Sequence, residues 1–152
     1  YKMSFADGVA LYGKYVGNWG GAATRWRFDA KNGDTVVKSV TLCPSHRLHL
    51  EVTPSATVLQ EGDTYDMAGV RVRILDENGS PAVYAQLPLT FAATGAAVLV
   101  GPAAATAEGG MGGTYLRTVG QTGAAALTVL APQCAPVTVE FTVTKKECAV
   151  WN

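Results

Sequence analysis

The chain has 152 residues, enough for one domain of ordinary size or one domain plus a fragment. Hydrophobic residues make up 48%, a globular composition that argues against disorder, and charged residues only 16%, with 12 basic against 12 acidic. A formally neutral, charge-poor chain offers no electrostatic footprint for nucleic acid or an anionic membrane, and no apolar run approaches the roughly 18 residues of a spanning helix.

Tyr1 opens the chain without an initiator Met, a charged region or an apolar core, so the sequence reads as a piece of a longer protein. After a short undistinguished start, a first strand is expected over 9–16, followed by a glycine-rich turn around Trp19. A second strand is expected over 23–30. There Thr24, Trp26 and Phe28 alternate with Arg25, Arg27 and Asp29, and the aromatic face is expected to be the buried one. Asn32-Gly33 then turns the chain into a third strand, 35–42, with Val36 and Val40 or Val37 and Thr41 inward. Residues 1–45 thus read as a three-strand β meander, the end of a preceding immunoglobulin-like domain, closed by Cys43-Pro44.

From Leu48 the turn signals recur every eight to twelve or so residues, the spacing of a β-sandwich expected over 46–146, with 147–152 as a tail. Leu48, Leu50 and Val52 alternate with His49, Glu51 and Thr53; a short piece follows at 57–60. Val70, Val72 and Ile74 alternate with Arg71 and Arg73 until Asn78-Gly79, where a type I′ turn and a return strand over 81–85 are expected. Strands are read at 87–93, 98–100, 114–119, 124–130 and 137–143, the last with Val137, Val139, Phe141 and Val143 inward. The glycines of 109–113 are expected to form a bulge or tight loop that re-aims Tyr115. No segment is assigned the 3.6-residue apolar period of a helix, and an all-β chain is expected.

Chemistry-bearing residues are sparse. Cys43, Cys134 and Cys148 are odd in number, widely spaced and without a Cys-x-x-Cys pair; half-buried thiols are expected, with a bridge between two of them left open and a lean towards a reducing cytoplasm. His46 and His49 are three apart, on opposite faces of a strand, and make poor joint ligands. Glu61, Asp63, Asp76, Glu77 and Glu108 fall in turns or on exposed faces, and Asp63 and Asp66 are expected to bond neighbouring amides rather than hold calcium. No catalytic, metal or cofactor residue is assigned. Tyr12, Tyr15, Trp19 and Trp151 are the candidates for stacking on a glycan or docking against a neighbouring domain.

Several motifs in order carry a resemblance. Glu61-Gly62-Asp63-Thr64-Tyr65-Asp66, Val70-Arg71-Val72-Arg73-Ile74-Leu75-Asp76-Glu77-Asn78-Gly79, Leu99-Val100-Gly101-Pro102 and Glu108-Gly109-Gly110-Met111-Gly112-Gly113-Thr114-Tyr115-Leu116-Arg117-Thr118 resemble a C-terminal module of bacterial family-2 glycoside hydrolases, the β-galactosidases and their relatives. Leu11-Tyr12-Gly13-Lys14-Tyr15 and the residues 24–42 are similar to what precedes that module. The resemblance implies an immunoglobulin-like sandwich downstream of a (β/α)-barrel whose two glutamates hydrolyse terminal β-galactosides; no position here matches those motifs. It implies as partners the catalytic barrel and neighbouring domains of one parent chain. The alternative is a stand-alone carbohydrate-binding or adhesin-like β-sandwich.

Overall fold

A computed structural model describes residues 2–17, 24–44 and 47–146. Its contacts divide the chain into two units, Tyr1–Ser45 and His46–Asn152.

The first unit opens with a helix, α1 (Phe5–Tyr15), where a strand over 9–16 was expected. The helix begins at a capping box: the Asp7 amide donates to Ser4 Oγ at 3.2 Å, and the Ser4 amide donates to Asp7 Oδ2 at 2.8 Å. Phe5, Val9, Tyr12 and Val16 recur at helical spacing and form one apolar stripe. Gly8 and Gly13 sit inside the helix and each lowers helix propensity by about 1 kcal/mol, which masked the period. The unit continues as an antiparallel hairpin, β1 (Trp26–Asn32) and β2 (Thr35–Leu42). The expected three-strand meander is therefore a helix followed by two strands.

Register places Trp26 opposite Leu42 and Phe28 opposite Val40, so one hairpin face is apolar. That face was expected to be buried, yet Trp26 is 39% exposed and Phe28 57% exposed. Val36, Val37 and Val40 are exposed as well. Two strands cannot enclose a core between them, and α1 buries none of its own residues. On the other face Arg27 Nε pairs with Asp29 Oδ1 at 2.8 Å, and the Ser39 hydroxyl donates to the same oxygen at 2.6 Å.

The second unit is an immunoglobulin-like β-sandwich. Its strands are β3 (Leu48–Pro54), β4 (Val58–Glu61), β5 (Met67–Asp76), β6 (Pro88–Gly95), β7 (Ala97–Val100), β8 (Ala104–Thr106), β9 (Met111–Thr118), β10 (Gly123–Leu130) and β11 (Val137–Lys145). One sheet runs β3-β5-β9-β7 and the other β4-β11-β10-β6-β8. These are the two faces of the immunoglobulin plan, with β4 joining β11 in parallel and all other pairs antiparallel. Val70, Val72, Ile74 and Leu116 face Leu59, Leu89, Phe91, Leu127, Val129, Phe141 and Val143 across the core, all 3% exposed or less. The inward set on β11 is the one its alternation announces, with Val137 and Val139 only half-buried at its near end.

Two local expectations fail at the hairpin after β5. Asn78 keeps negative φ, and only Gly79 is positive, at 78°, so the turn is not type I′. Instead Gly79 N donates to the Asp76 carbonyl at 3.0 Å and Asp76 N to the Ser80 carbonyl at 2.9 Å, a turn closed by a glycine bulge. Nor does 81–85 form a strand: Pro81 makes one isolated bridge to Leu75, and the chain turns again at Val83-Tyr84. Pro81 has no amide to extend a ladder. The Asp76 side chain, 8% exposed, organises the turn by accepting from the amides of Asn78 at 2.8 Å and Ser80 at 2.9 Å. Asp76→Ala is expected to lose about 2 kcal/mol of stability in urea denaturation, because charge-assisted bonds are removed and two amides lose their acceptor. Asp76→Asn, which keeps an oxygen, should recover most of it.

Candidate functional site

The outer face of the four-stranded sheet is set by strand alternation. With Val70, Val72 and Ile74 pointing into the core, Gly69, Arg71 and Arg73 point outward on β5. Register aligns Glu51 with Arg73 and Met111, Thr53 with Arg71 and Gly113, and Gly69 with Tyr115 and Val100. The first of these rows is closed by a bidentate ion pair: Arg73 Nη2 lies 2.7 and 2.8 Å from the two Glu51 oxygens, and Nε donates to Oε1 at 3.1 Å. Arg73 holds the Glu51 carboxyl below its ordinary pKa, chiefly through these hydrogen bonds.

The next two rows form an open groove of about 610 Å³, lined by Thr53, Ser55, Gly69, Arg71, Gly113 and Tyr115 among others. Glycine makes the depression. A Cβ at Gly113 would stand 2.5 Å from the Val70 carbonyl oxygen, and one at Gly69 only 3.3 Å from Tyr115 Cε1. The Tyr115 ring therefore leans across the strand onto the bare backbone of Gly69 while staying 55% exposed. Ser55 braces the rim, its hydroxyl accepting from Gly69 N at 3.0 Å and its amide donating to the Gly69 carbonyl at 2.8 Å. The Arg71 side chain makes no hydrogen bond or close ion pair among the described residues, and its charge acts on Glu51 only through space, as the smallest contribution to that carboxyl's lowered pKa. At the far end Arg117 covers the Tyr65 ring at 5.4 Å.

This arrangement can bind and orient, but it holds no acid–base pair: no carboxylate, imidazole or thiol lines the groove. Elsewhere, the carboxylates with shifted pKa values all move downward, away from what a general acid needs. Asp7 is lowered by Ser4, Asp29 by Ser39 and then Arg27, and Glu61 by the Thr118 hydroxyl and the Gly120 amide. Among the described residues no three His, Cys, Asp or Glu side chains gather as a metal site, and no helix is long and apolar enough to cross a membrane. Asp66 accepts from the amides of Gln60 and Met67, each at 2.8 Å, the neighbouring-amide role expected of it.

The aromatic that lines the groove is Tyr115, which was not among those singled out from sequence. Tyr12 and Tyr15 lie on α1, both 49% exposed, with Lys14 Nζ 5.0 Å from the Tyr15 ring centroid. Trp19 and Trp151 lie outside the described residues, as do His46 and Cys148. His49 is exposed on β3. Cys43 is half-buried, and Cys134 is a half-buried free thiol whose pKa burial raises. Sequence reasoning missed Arg71 and Gly69 as site residues. Their signal was present in the alternation of β5, which sends an arginine and a glycine to one face.

The molecule is thus a β-sandwich with a ligand-sized groove on one sheet and no catalytic constellation among its described residues. No protein-family model matches the sequence, and no curated protein matches it. Solved structures do. A glycosyl hydrolase family 2 member from Bacteroides cellulosilyticus superposes with a TM-score of 0.63 at 15% identity, covering 82% of this chain and 18% of that one. A beta-glycosidase from Bacteroides vulgatus gives 0.64 at 15%, covering 80% and 18%. A family 2 beta-glucuronidase gives 0.61 at 16%, covering 82% and 14%. The chain spans less than a fifth of the length of these proteins, and what it shares with them is the fold of one region.

Proposed function

We propose that this chain is a non-catalytic accessory region from the C-terminal part of a family 2 glycoside hydrolase, bracing a catalytic barrel that lies outside these 152 residues. The observation that carries the reading is the asymmetry of coverage: about four-fifths of this chain aligns with under a fifth of much longer glycosidases. The apolar hairpin face of Trp26, Phe28, Val40 and Leu42 supports it, being a surface suited to a neighbouring domain of the same parent chain. The narrower assignment is a β-galactosidase-type parent acting on terminal β-galactosides; the similar structures include beta-glucuronidases, so galactoside and glucuronide are the two sugars to be separated.

The expected result is no turnover of chromogenic β-galactoside or β-glucuronide by these residues alone. Rejoined to the coding sequence upstream, the chain should carry a barrel with two catalytic glutamates, and the substrate preference of that longer protein decides between the two sugars. Cleavage by the isolated chain, or an upstream sequence without such a barrel, defeats the reading.

A further inference from the structure

We infer that the groove between Arg71 and Tyr115 is a binding site for an acidic saccharide, recognising a uronate residue: a pyranose ring carrying a carboxylate. The inference stands whether or not the chain braces a catalytic barrel. Three features define the ligand. The groove's one charge is the Arg71 guanidinium, which makes no side-chain hydrogen bond or close ion pair among the described residues and attracts Glu51 only through space, whereas Arg73 two residues along is bonded to Glu51 through Nε and Nη2. A planar fork of N–H donors left open to solvent matches a carboxylate. Beside it the exposed Tyr115 ring offers an apolar surface with a polar tip, which suits the hydrophobic face of a pyranose. Across the groove from Tyr115 stand the Thr53 hydroxyl, which donates to Glu51 Oε1 at 3.3 Å and keeps lone pairs to accept, and the Ser55 hydroxyl, which accepts from Gly69 N and keeps its proton to donate, so each has capacity left for a ring hydroxyl.

The same features exclude other ligands. A phosphate or nucleotide site would call for several cations or a helix N-terminus, and the lining is strand residues and the bend at Ser55, with a single arginine. A purely apolar ligand would cover the guanidinium without giving it a hydrogen-bond acceptor. A volume of about 610 Å³ accommodates one or two sugar rings, and the openness of the groove suits an internal residue of a longer chain as well as a terminal one.

The test is a titration of the whole 152-residue chain with trigalacturonate and with neutral galactotriose, followed by calorimetry and by amide shift changes. Trigalacturonate should bind about tenfold more tightly than the neutral sugar, weaken as salt is raised, and perturb the amides of Gly69, Gly113 and Tyr115. Arg71→Gln should lose about that tenfold preference. Lys38→Gln, which removes the same charge from the hairpin, should bind as the parent does. Arg71 is exposed and its side chain makes no hydrogen bond or close ion pair, so its variant should keep the parent's urea midpoint, which separates loss of the site from loss of the fold. No binding, equal affinity for both sugars, indifference to Arg71→Gln, or shifts confined to other surfaces would each overturn the inference.

Discussion

Gly95→Ala should destabilise the sandwich by about 3 to 4 kcal/mol, a large share of the margin for a domain at the lower end of the ordinary range of about 5 to 15 kcal/mol. Gly95 ends β6 with φ at 81°, just before the chain crosses to the opposite sheet as β7. Alanine in that conformation costs about 1 to 2 kcal/mol from its own backbone. The larger part is steric. A Cβ at Gly95 would run into the Ala124 carbonyl oxygen and stand 2.9 Å from the Ala125 Cα. Both atoms are backbone of β10, so no side chain can rotate aside. That same carbonyl accepts from Ala96 N at 3.0 Å, and Ala96 and Ala97 beyond it are buried. Displacing it breaks the bond that holds the crossover.

Gly79 supplies the control. Its φ is 78°, nearly the same, but nothing lies within 4 Å of where its Cβ would go. Gly79→Ala should therefore cost only the backbone part, about 1 to 2 kcal/mol. The difference between the two variants in urea denaturation measures the clash alone. Equal losses would mean that β6 and β10 do not approach as closely as described.

The strands of the sandwich were legible because each buries one face only, and burial on one face forces alternation. Val70 to Ile74 and Val137 to Val143 announce their inward residues one by one. The first unit was not legible for the converse reason. Its elements bury little against one another, so nothing forces a clean pattern, and two glycines diluted the helical stripe of α1. The capping box Ser4-Phe5-Ala6-Asp7 was the better signal there, since it depends on local bonds and not on packing. The return strand after Gly79 failed because a hairpin motif fixes a turn and leaves the ladder beyond it to the available amides, and Pro81 lacks one. The groove was half legible. Alternation placed Arg71, Gly69 and Tyr115 on outward faces, but only register shows that β9 brings Tyr115 beside Gly69. Sequence reasoning chose Tyr12, Tyr15, Trp19 and Trp151 as candidate aromatics; the groove is lined by Tyr115, whose place beside a bare glycine depends on the pairing of β5 with β9.

Phe141→Ala should cost about 3 to 5 kcal/mol, the full range for emptying a buried ring site. Phe141 is 2% exposed on β11, directly opposite Ala125 of β10, which in turn lies opposite Gly95 of β6. One row across the five-stranded sheet thus reads glycine, alanine, phenylalanine. The two small residues leave the volume above them to be filled by the third, and no neighbour in the row is long enough to move in. A cavity there cannot collapse, since both sheets are fixed by their ladders, so the loss should fall near the top of the range. Phe141→Leu keeps much of the volume and should cost about 1 to 1.5 kcal/mol. Val139→Ala, half-buried two residues away, should cost about 1 kcal/mol. That ranking, read from urea midpoints, tests the packing itself: a Phe141→Ala variant no weaker than Val139→Ala would mean that the ring does not span the two sheets. The groove lies on the outer face of the opposite sheet, so a folded Phe141→Leu protein should keep its affinity for trigalacturonate while losing stability.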